Sequence, residues 1–228
     1  MTEYAEGTRR LDKSRSYAQF LDLYNFMAAQ ALVYLLPAPA NCGLQDQVFV
    51  ANLAFIPSHV EHRETAIISN FTSPPRKGEA QFGRSFFESM GYRVVQSPYR
   101  FEGEAELKHL HGNVYIGGYG ERSDRAAYEW MSSEFGMKII PVEERNAHLY
   151  HLDCSIFPLS NEETIVATSL FTPEEIREIE KVTGIIDVTE DQAYFGICNS
   201  VRVRNLVLNA SHLHDLSPGH EHYAGERD

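Results

Sequence analysis

About every 50 residues the chain repeats one order of signals: two short apolar runs, an amphipathic stretch and a third apolar run. A period in that range marks stacked or circular repeats, because one such piece cannot bury its apolar face alone. In the first pass, 47–52 and 65–69 read as strands and 76–90 as a helix with Phe82, Phe86 and Met90 inward. Gly91 is placed as a left-handed stop, and 92–95 as the third strand. In the second, 100–102 and 113–116 are short strands. Ser123-Asp124 cap a helix running through Phe135 and closed by Gly136, and 137–140 follows as a strand. The third pass has strands over 150–159 and 164–167. Thr172-Pro173-Glu174-Glu175 then opens a helix with a capping box and a proline at its first position. Gly184 closes that helix, and 185–188 is the strand. A fourth begins with 193–198 and 201–208, with a helix due near Ser211. Ahead of all four, 11–32 reads as an amphipathic helix with Tyr17, Phe20, Leu21, Tyr24, Met27 and Ala28 on one face. A buried strand over 33–36 follows it, like the tail of one further repeat.

Composition narrows the function classes. The chain has 228 residues and a net charge of −12, which argues against a nucleic-acid surface and fits a cationic or neutral small ligand. Three cysteines give neither a disulfide framework nor a Cys-x-x-Cys pair, and a reduced, cytoplasmic compartment is expected. The acidic start lacks a signal-peptide core, and the longest apolar run, 28–39, is too short to span a bilayer, so no membrane partner is expected.

Each repeat places acidic or amide groups at its first strand: Asp46 and Asn52, then Glu102, Glu104 and Glu106, then His151 and Asp153. On a strand, His151 and Asp153 share one face and Cys154 takes the other. A histidine beside a carboxylate is a general acid/base with an anionic partner, and a buried histidine hydrogen-bonded within a sheet gives the same pattern. Taken singly, each group is explained by a solvated strand end. Around a pseudo-symmetry axis they converge, and clustered carboxylates suit a guanidinium, whose N–H donors pair with carboxylates in a fixed fork.

Five motifs in order carry a resemblance. Asp46-x-Val48-Phe49-x-x-Asn52 resembles Pro-Asp-x-Val-Phe-Thr-Ala-Asn, and Phe101-Glu102-Gly103-Glu104-Ala105-Glu106 resembles Phe-Glu-Gly-x-Gly-Asp. Gly118-Tyr119-Gly120-Glu121-Arg122-Ser123, Tyr150-His151-Leu152-Asp153-Cys154 and Cys198-Asn199-Ser200-Val201 resemble Gly-Tyr-Gly-Phe-Arg-Ser/Thr, Tyr-His-Leu-Asp-Thr and Cys-Asn-Ala-Val. Over most of its length the chain resembles the guanidine-modifying (pentein) superfamily of arginine deiminases, dimethylargininases, arginine dihydrolases and amidinotransferases. The resemblance implies an α/β fold, a five-bladed propeller of strand-strand-helix-strand units, here incomplete. It also implies attack of a cysteine thiolate on the guanidinium carbon of arginine or a related compound, ending in hydrolysis or amidino transfer. His151 is implied as the acid/base, and Glu102 and Asp153 hold the cation. Asn52 and Glu106 position further guanidine nitrogens, Asp46 is implied as a further substrate-binding residue, and Arg122 organises the loop or meets a substrate carboxylate. A surface ion pair at a helix start is the other reading of Arg122. No metal or cofactor is required, and His109, His111, His212, His214, His220 and His222 read as solvated loop residues.

Three features depart from the pattern. Glu106 stands where the family has Asp, the family's early Asn-Pro strand motif is absent, and no cysteine here matches the C-terminal nucleophile. Cys198 matches a structural position, Cys154 faces away from His151, and Cys42 lies in a loop. Residues 1–228 are therefore expected to form one propeller domain short of its first strands and of a nucleophile segment beyond Asp228. A catalytically inactive guanidinium-binding or regulatory relative is the alternative. Unpaired sheet edges of an open ring predict self-association into a homo-oligomer.

Overall fold

The computed structural model describes residues 12–37, 42–59 and 61–209. Two compact units divide the chain, Met1–Pro37 and Ala38–Asp228. In the first, Lys13–Ala28 forms helix α1, capped by Asp12, whose carboxylate accepts from the Arg15 N–H at 3.0 Å. None of its residues is buried. The expected buried strand over 33–36 is not observed. Tyr34 and Leu35 are exposed there, and none of the described strands offers the segment a ladder.

The second unit carries the repeat. Its first copy is β1 (Ala54–Phe55), β2 (Thr65–Ile68), α2 (Glu79–Ser89) and β3 (Arg93–Gln96). Next come β4 (Leu107–His111), β5 (Val114–Tyr119), α3 (Arg125–Phe135) and β6 (Lys138–Glu143), then β7 (Ile156–Pro158), β8 (Glu163–Val166), α4 (Pro173–Glu180) and β9 (Gly184–Asp187). A short helix α5 (Glu190–Tyr194) leads into the hairpin β10 (Ser200–Val203) and β11 (Leu206–Asn209). In every full copy the first two strands pair antiparallel and the third joins the second in parallel after the helix.

The expected five-bladed propeller is corrected by this pairing. Among the described residues strands hydrogen-bond within their own copy, giving four small separate sheets, three of three strands and one of two. Among the described residues no sheet closes into a barrel or a propeller. The α/β class and the repeated strand-strand-helix-strand order are what the structure has. Side-chain packing joins neighbouring copies: Phe55 and Ile67 of the first meet Leu107, Tyr115, Met131 and Phe135 of the second. Ile116, Ile140 and Val142 in turn meet Ile156, Val166 and Ile179 of the third.

Turn chemistry predicted the helices well. Gly91 (φ 85°) and Gly136 (φ 64°) are left-handed, as their positions after α2 and α3 require, and Thr172 and Glu175 form the capping box of α4. Several strands were misread. Residues 47–52 form two 3₁₀ turns, Gln45–Val48 and Val50–Asn52, because Arg76 Nη2 donates to the carbonyls of Asp46 and Phe49, groups a ladder would otherwise use. The segment 100–102 keeps only a bridge from Phe101 to Asn70. His109 and His111 belong to strand β4, not a solvated loop. The His109 ring packs 4.9 Å from Tyr115, and His111 Nε2 lies 3.1 Å from the Val182 carbonyl. The 150–159 strand shortens to β7 because Leu152–Cys154 turn as a 3₁₀ helix. Gly184 starts β9 instead of closing α4, whose cap is Lys181. Residues 193–198 hold no strand, since Thr189 and Gln192 box-cap α5 through Tyr194. The helix expected near Ser211, and His212, His214, His220 and His222, lie outside the described residues.

Candidate functional site

Glu102 and Glu106 flank a 3₁₀ turn, Gly103–Ala105, that opens the second repeat. Gly103 has φ +66°, and a Cβ on it would lie 2.5 Å from the Ala51 carbonyl oxygen and 2.7 Å from the Asn52 carbonyl carbon. Only glycine lets the two turns meet this closely. The contact sets Asn52 beside the acidic pair, and Ser69 Oγ pins the Asn52 carbonyl at 2.5 Å.

His151, extended at the entry to its own 3₁₀ turn, completes the group. Its Nε2 is 3.0 Å from Glu102 Oε2, 3.1 Å from Asn52 Nδ2 and 3.7 Å from Glu106 Oε1. With a proton, Nε2 donates to Glu102; without one, it accepts from the Asn52 amide. One nitrogen thus stands between a donor and an acceptor, which is the setting of a group that gives and takes a proton.

Glu102 is fully buried. Burial works against its charge, but the hydrogen bond and charge of His151, the Arg122 charge and the Thr72 N–H outweigh that, so its pKa is lowered. Arg122 Nη1 is 3.6 Å from Glu102 Oε1 and its guanidinium lies 4.7 Å from the Tyr150 ring centre. Arg122 thus pairs with buried Glu102 as well as with exposed Glu121.

Glu106 is also fully buried, and neither of its carboxyl oxygens has a hydrogen-bond donor. The same holds for both oxygens of Glu144, in the loop after β6. Gly118 lies against both residues: its N–H donates to the Glu106 carbonyl at 2.9 Å, and a Cβ on it would lie 2.5 Å from Glu144 Oε1. Burial, then the Glu144 carboxyl and the charges of Asp153 and Glu102, push Glu106 well above the usual carboxylate range. Burial and the charges of Asp153 and Glu102 raise Glu144 to about 8 against the opposing pull of the Glu106 carboxyl.

Not every expected residue joins the cluster. Asp153 is in the turn after His151, not on a shared strand face, and its carboxylate lies 3.7 Å from Cys154 Sγ. Burial raises its pKa against the pull of Lys108 and His151. Asp46 is half-buried on the Gln45–Val48 turn, its carbonyl held by Arg76; among the described residues no hydrogen bond links its side chain to His151. Burial and Asp153 push Cys154 and Cys198 to about 12, so neither is a thiolate at neutral pH. Glu144 was missed in the sequence because Glu143-Glu144-Arg145 reads as a polar loop. The clue was Gly117-Gly118-Tyr119-Gly120, whose glycines leave room for a side chain. A Cβ on Gly118 would lie 2.5 Å from Glu144 Oε1.

Residues 5–213 match the family described as N,N dimethylarginine dimethylhydrolase, eukaryotic. The chain belongs to that family, within the guanidine-modifying superfamily. It is 26% identical over 212 residues to the bifunctional arginine dihydrolase/ornithine cyclodeaminase AgrE of Nostoc sp., covering 90% of this chain and 29% of AgrE. To the N(G),N(G)-dimethylarginine dimethylaminohydrolase of Mycobacterium tuberculosis it is 31% identical over 119 residues, 52% of this chain and 37% of that one. The chain thus spans about a third of the length of these two relatives. Among solved structures, the substrate-bound N-terminal domain of ArgZ, a cyanobacterial arginine dihydrolase, superposes with a TM-score of 0.77 at 26% identity. That match covers 85% of this chain and 71% of the other. No described helix is long and apolar enough to cross a membrane.

Proposed function

We propose that this chain binds the guanidinium of arginine or a related guanidino compound at the His151 cluster, as part of a guanidine-modifying enzyme of arginine metabolism. The observation that carries this reading is His151 beside the buried carboxyls of Glu102 and Glu106, with four buried carboxyl oxygens, on Glu106 and Glu144, that no donor of the described chain satisfies. Buried acceptors without donors fit a ligand that brings donors and positive charge, and a guanidinium brings five N–H groups in one plane. AgrE has been crystallised with L-arginine, and the N-terminal domain of ArgZ, an arginine dihydrolase, with its substrate.

In this reading Glu102, held ionised by its surroundings, pairs with the cation, and Asn52 and Glu106 hold its nitrogens. Asp153 adds negative charge nearby, and Asp46 and Arg122 order the flanking loops. His151 delivers the proton to the leaving amine as the C–N bond breaks, then takes one from the incoming water or amine. The covalent version needs a thiolate at the guanidinium carbon, which Cys154 and Cys198 do not supply. The enzyme reading therefore takes its thiolate from a segment beyond Asp228, and the second reading is a guanidinium-binding relative without turnover. A cytoplasmic setting goes with three unpaired cysteines.

Calorimetry with L-arginine tests the shared core of both readings. Binding that is lost in His151→Ala is expected. No heat with arginine, or equal binding by the variant, refutes it. Release of ammonia or amine from bound arginine separates enzyme from binder.

A further inference from the structure

We infer that Glu144 and Glu106 act as one specificity-determining pair that shares a proton in the free protein and releases it when a guanidinium seats beside His151. The inference rests on the proposed function and adds a residue and a proton balance to it.

The geometry comes first. Glu106 and Glu144 meet at Gly118 with four buried carboxyl oxygens and no donor, and two such carboxyls cannot both be ionised at low cost; one proton between them relieves the repulsion. The protein holds them there deliberately. On one side Gly118 leaves the space in which Glu144 lies. On the other, Tyr128 donates from its hydroxyl to the carbonyls of Glu106 and Gly118, fixing the backbone beneath the pair. The residues flanking Glu144 are clamped by α4. Glu175 accepts from the Glu143 N–H at 2.8 Å and from Arg145 Nη1 at 2.8 Å.

Charges around the pair set its proton. Glu102 and Asp153 favour holding it; Arg122 and Lys108 are the cations of the surrounding elements, with partners in Glu102 and Glu104, and the His151 ring stands 3.7 Å from Glu106. Tyr128 is kept neutral by burial and by the pair itself. An arriving guanidinium supplies the missing positive charge and donors, so the carboxylic acid loses its proton to solvent and both carboxylates accept from the ligand. A neutral ureido group makes no such demand. The pair therefore discriminates charge: guanidinium binding strengthens as the pH rises toward the pair's titration, whereas ureido binding does not.

Calorimetry of the whole chain with L-arginine at pH 7, in two buffers of different ionisation enthalpy, reads the proton directly. Close to one proton released per arginine is expected, with affinity rising about tenfold per pH unit between pH 6 and 7, since one proton is displaced per ligand. L-citrulline, the neutral isostere, should release none. In Glu144→Gln the release should disappear and the pH profile flatten. Arginine binding without proton release, or release that persists in Glu144→Gln and so belongs to His151, overturns the inference while the proposed function stands. Infrared spectroscopy of the free protein adds a measurement independent of ligand. A protonated carboxyl band at pH 7, missing in Glu144→Gln, is expected, and its absence from the wild type overturns the inference too. If arginine does not bind while that band is present, the proposed function falls and takes the proton release with it.

Discussion

Removing Arg76 should unfold the chain far more easily than an ordinary surface arginine would. Arg76 meets Glu79 through two bonds, Nε to Oε1 at 2.9 Å and Nη2 to Oε2 at 2.8 Å, and their side chains are 6% and 1% exposed. Its guanidinium also lies 4.6 Å from the Phe71 ring centre. Deleting one partner of such a buried pair leaves an uncompensated charge, a loss of about 3–5 kcal/mol, while replacing both by apolar groups is often near neutral. Against a domain stability of about 5–15 kcal/mol, the single change is severe. Arg76→Met and Glu79→Leu should each lower the urea midpoint by an amount equivalent to about 3–5 kcal/mol, and the double variant should recover most of that loss. Because Arg76 also ties down the carbonyls of Asp46 and Phe49, arginine binding should weaken even in the stabilised double variant, as the turn that carries Asn52 loosens. Single variants that lose less than about 1 kcal/mol, or a double variant whose loss is the sum of the two, would refute this reasoning.

Three further outcomes are expected. Gly118→Ala places a Cβ 2.5 Å from Glu144 Oε1 and 2.9 Å from Leu152 Cβ, so it should destabilise by about 1–3 kcal/mol and weaken arginine binding; thermal melts and calorimetry check both. Thr172→Ala removes the side-chain half of the α4 capping box and should lower stability by about 0.5–2 kcal/mol in urea titrations. Glu144 titrates higher folded, about 8, than its ordinary 4.5, so its contribution is whole below about pH 4.5 and is lost as the pH rises toward about 8. Glu175, lowered to about 2, contributes above its ordinary 4.5, and that contribution is lost as the pH falls toward about 2. Denaturation midpoints from pH 2 to 9 should therefore fall at both ends, and Glu144→Gln should flatten only the alkaline limb.

Helices were legible because their ends are written in single residues. Thr172, Gly91 and Gly136 each satisfy or terminate a backbone locally, with no help from distant parts, whereas Asp124 stands at the start of α3 without a side-chain cap bond and gives its carboxylate to Arg100. Strands were legible only where apolar runs were clean, as at Thr65–Ile68. Strand β4 was hidden because Lys108, His109 and His111 break the apolar pattern, while in the fold their polar ends find a carbonyl or a carboxylate. The 47–52 run failed in the opposite sense: it looked like a strand, but Arg76, some thirty residues away, takes its carbonyls. In the site, His151, Glu102, Asn52 and Glu106 were readable because each lies in a motif. Asp46 was named by the same motif, yet no bond ties its side chain to His151. Glu144 could not be read, since its burial depends on glycines in another strand and on a clamp from α4.

The hydrogen bond between Asn52 and His151 spans 99 positions of sequence. The one between Glu102 and His151 spans 49. Contacts this distant close large loops and form late in folding, after local turns and hairpins are in place. The cluster therefore acts as a reporter of completed assembly: no single repeat owns it, and a chain that has folded only one or two copies has no pair of groups between which a proton can pass. Local opening that parts His151 from Asn52 and Glu102 erases the site even where the rest of the core stays folded, so ligand affinity should register damage that a melting curve overlooks.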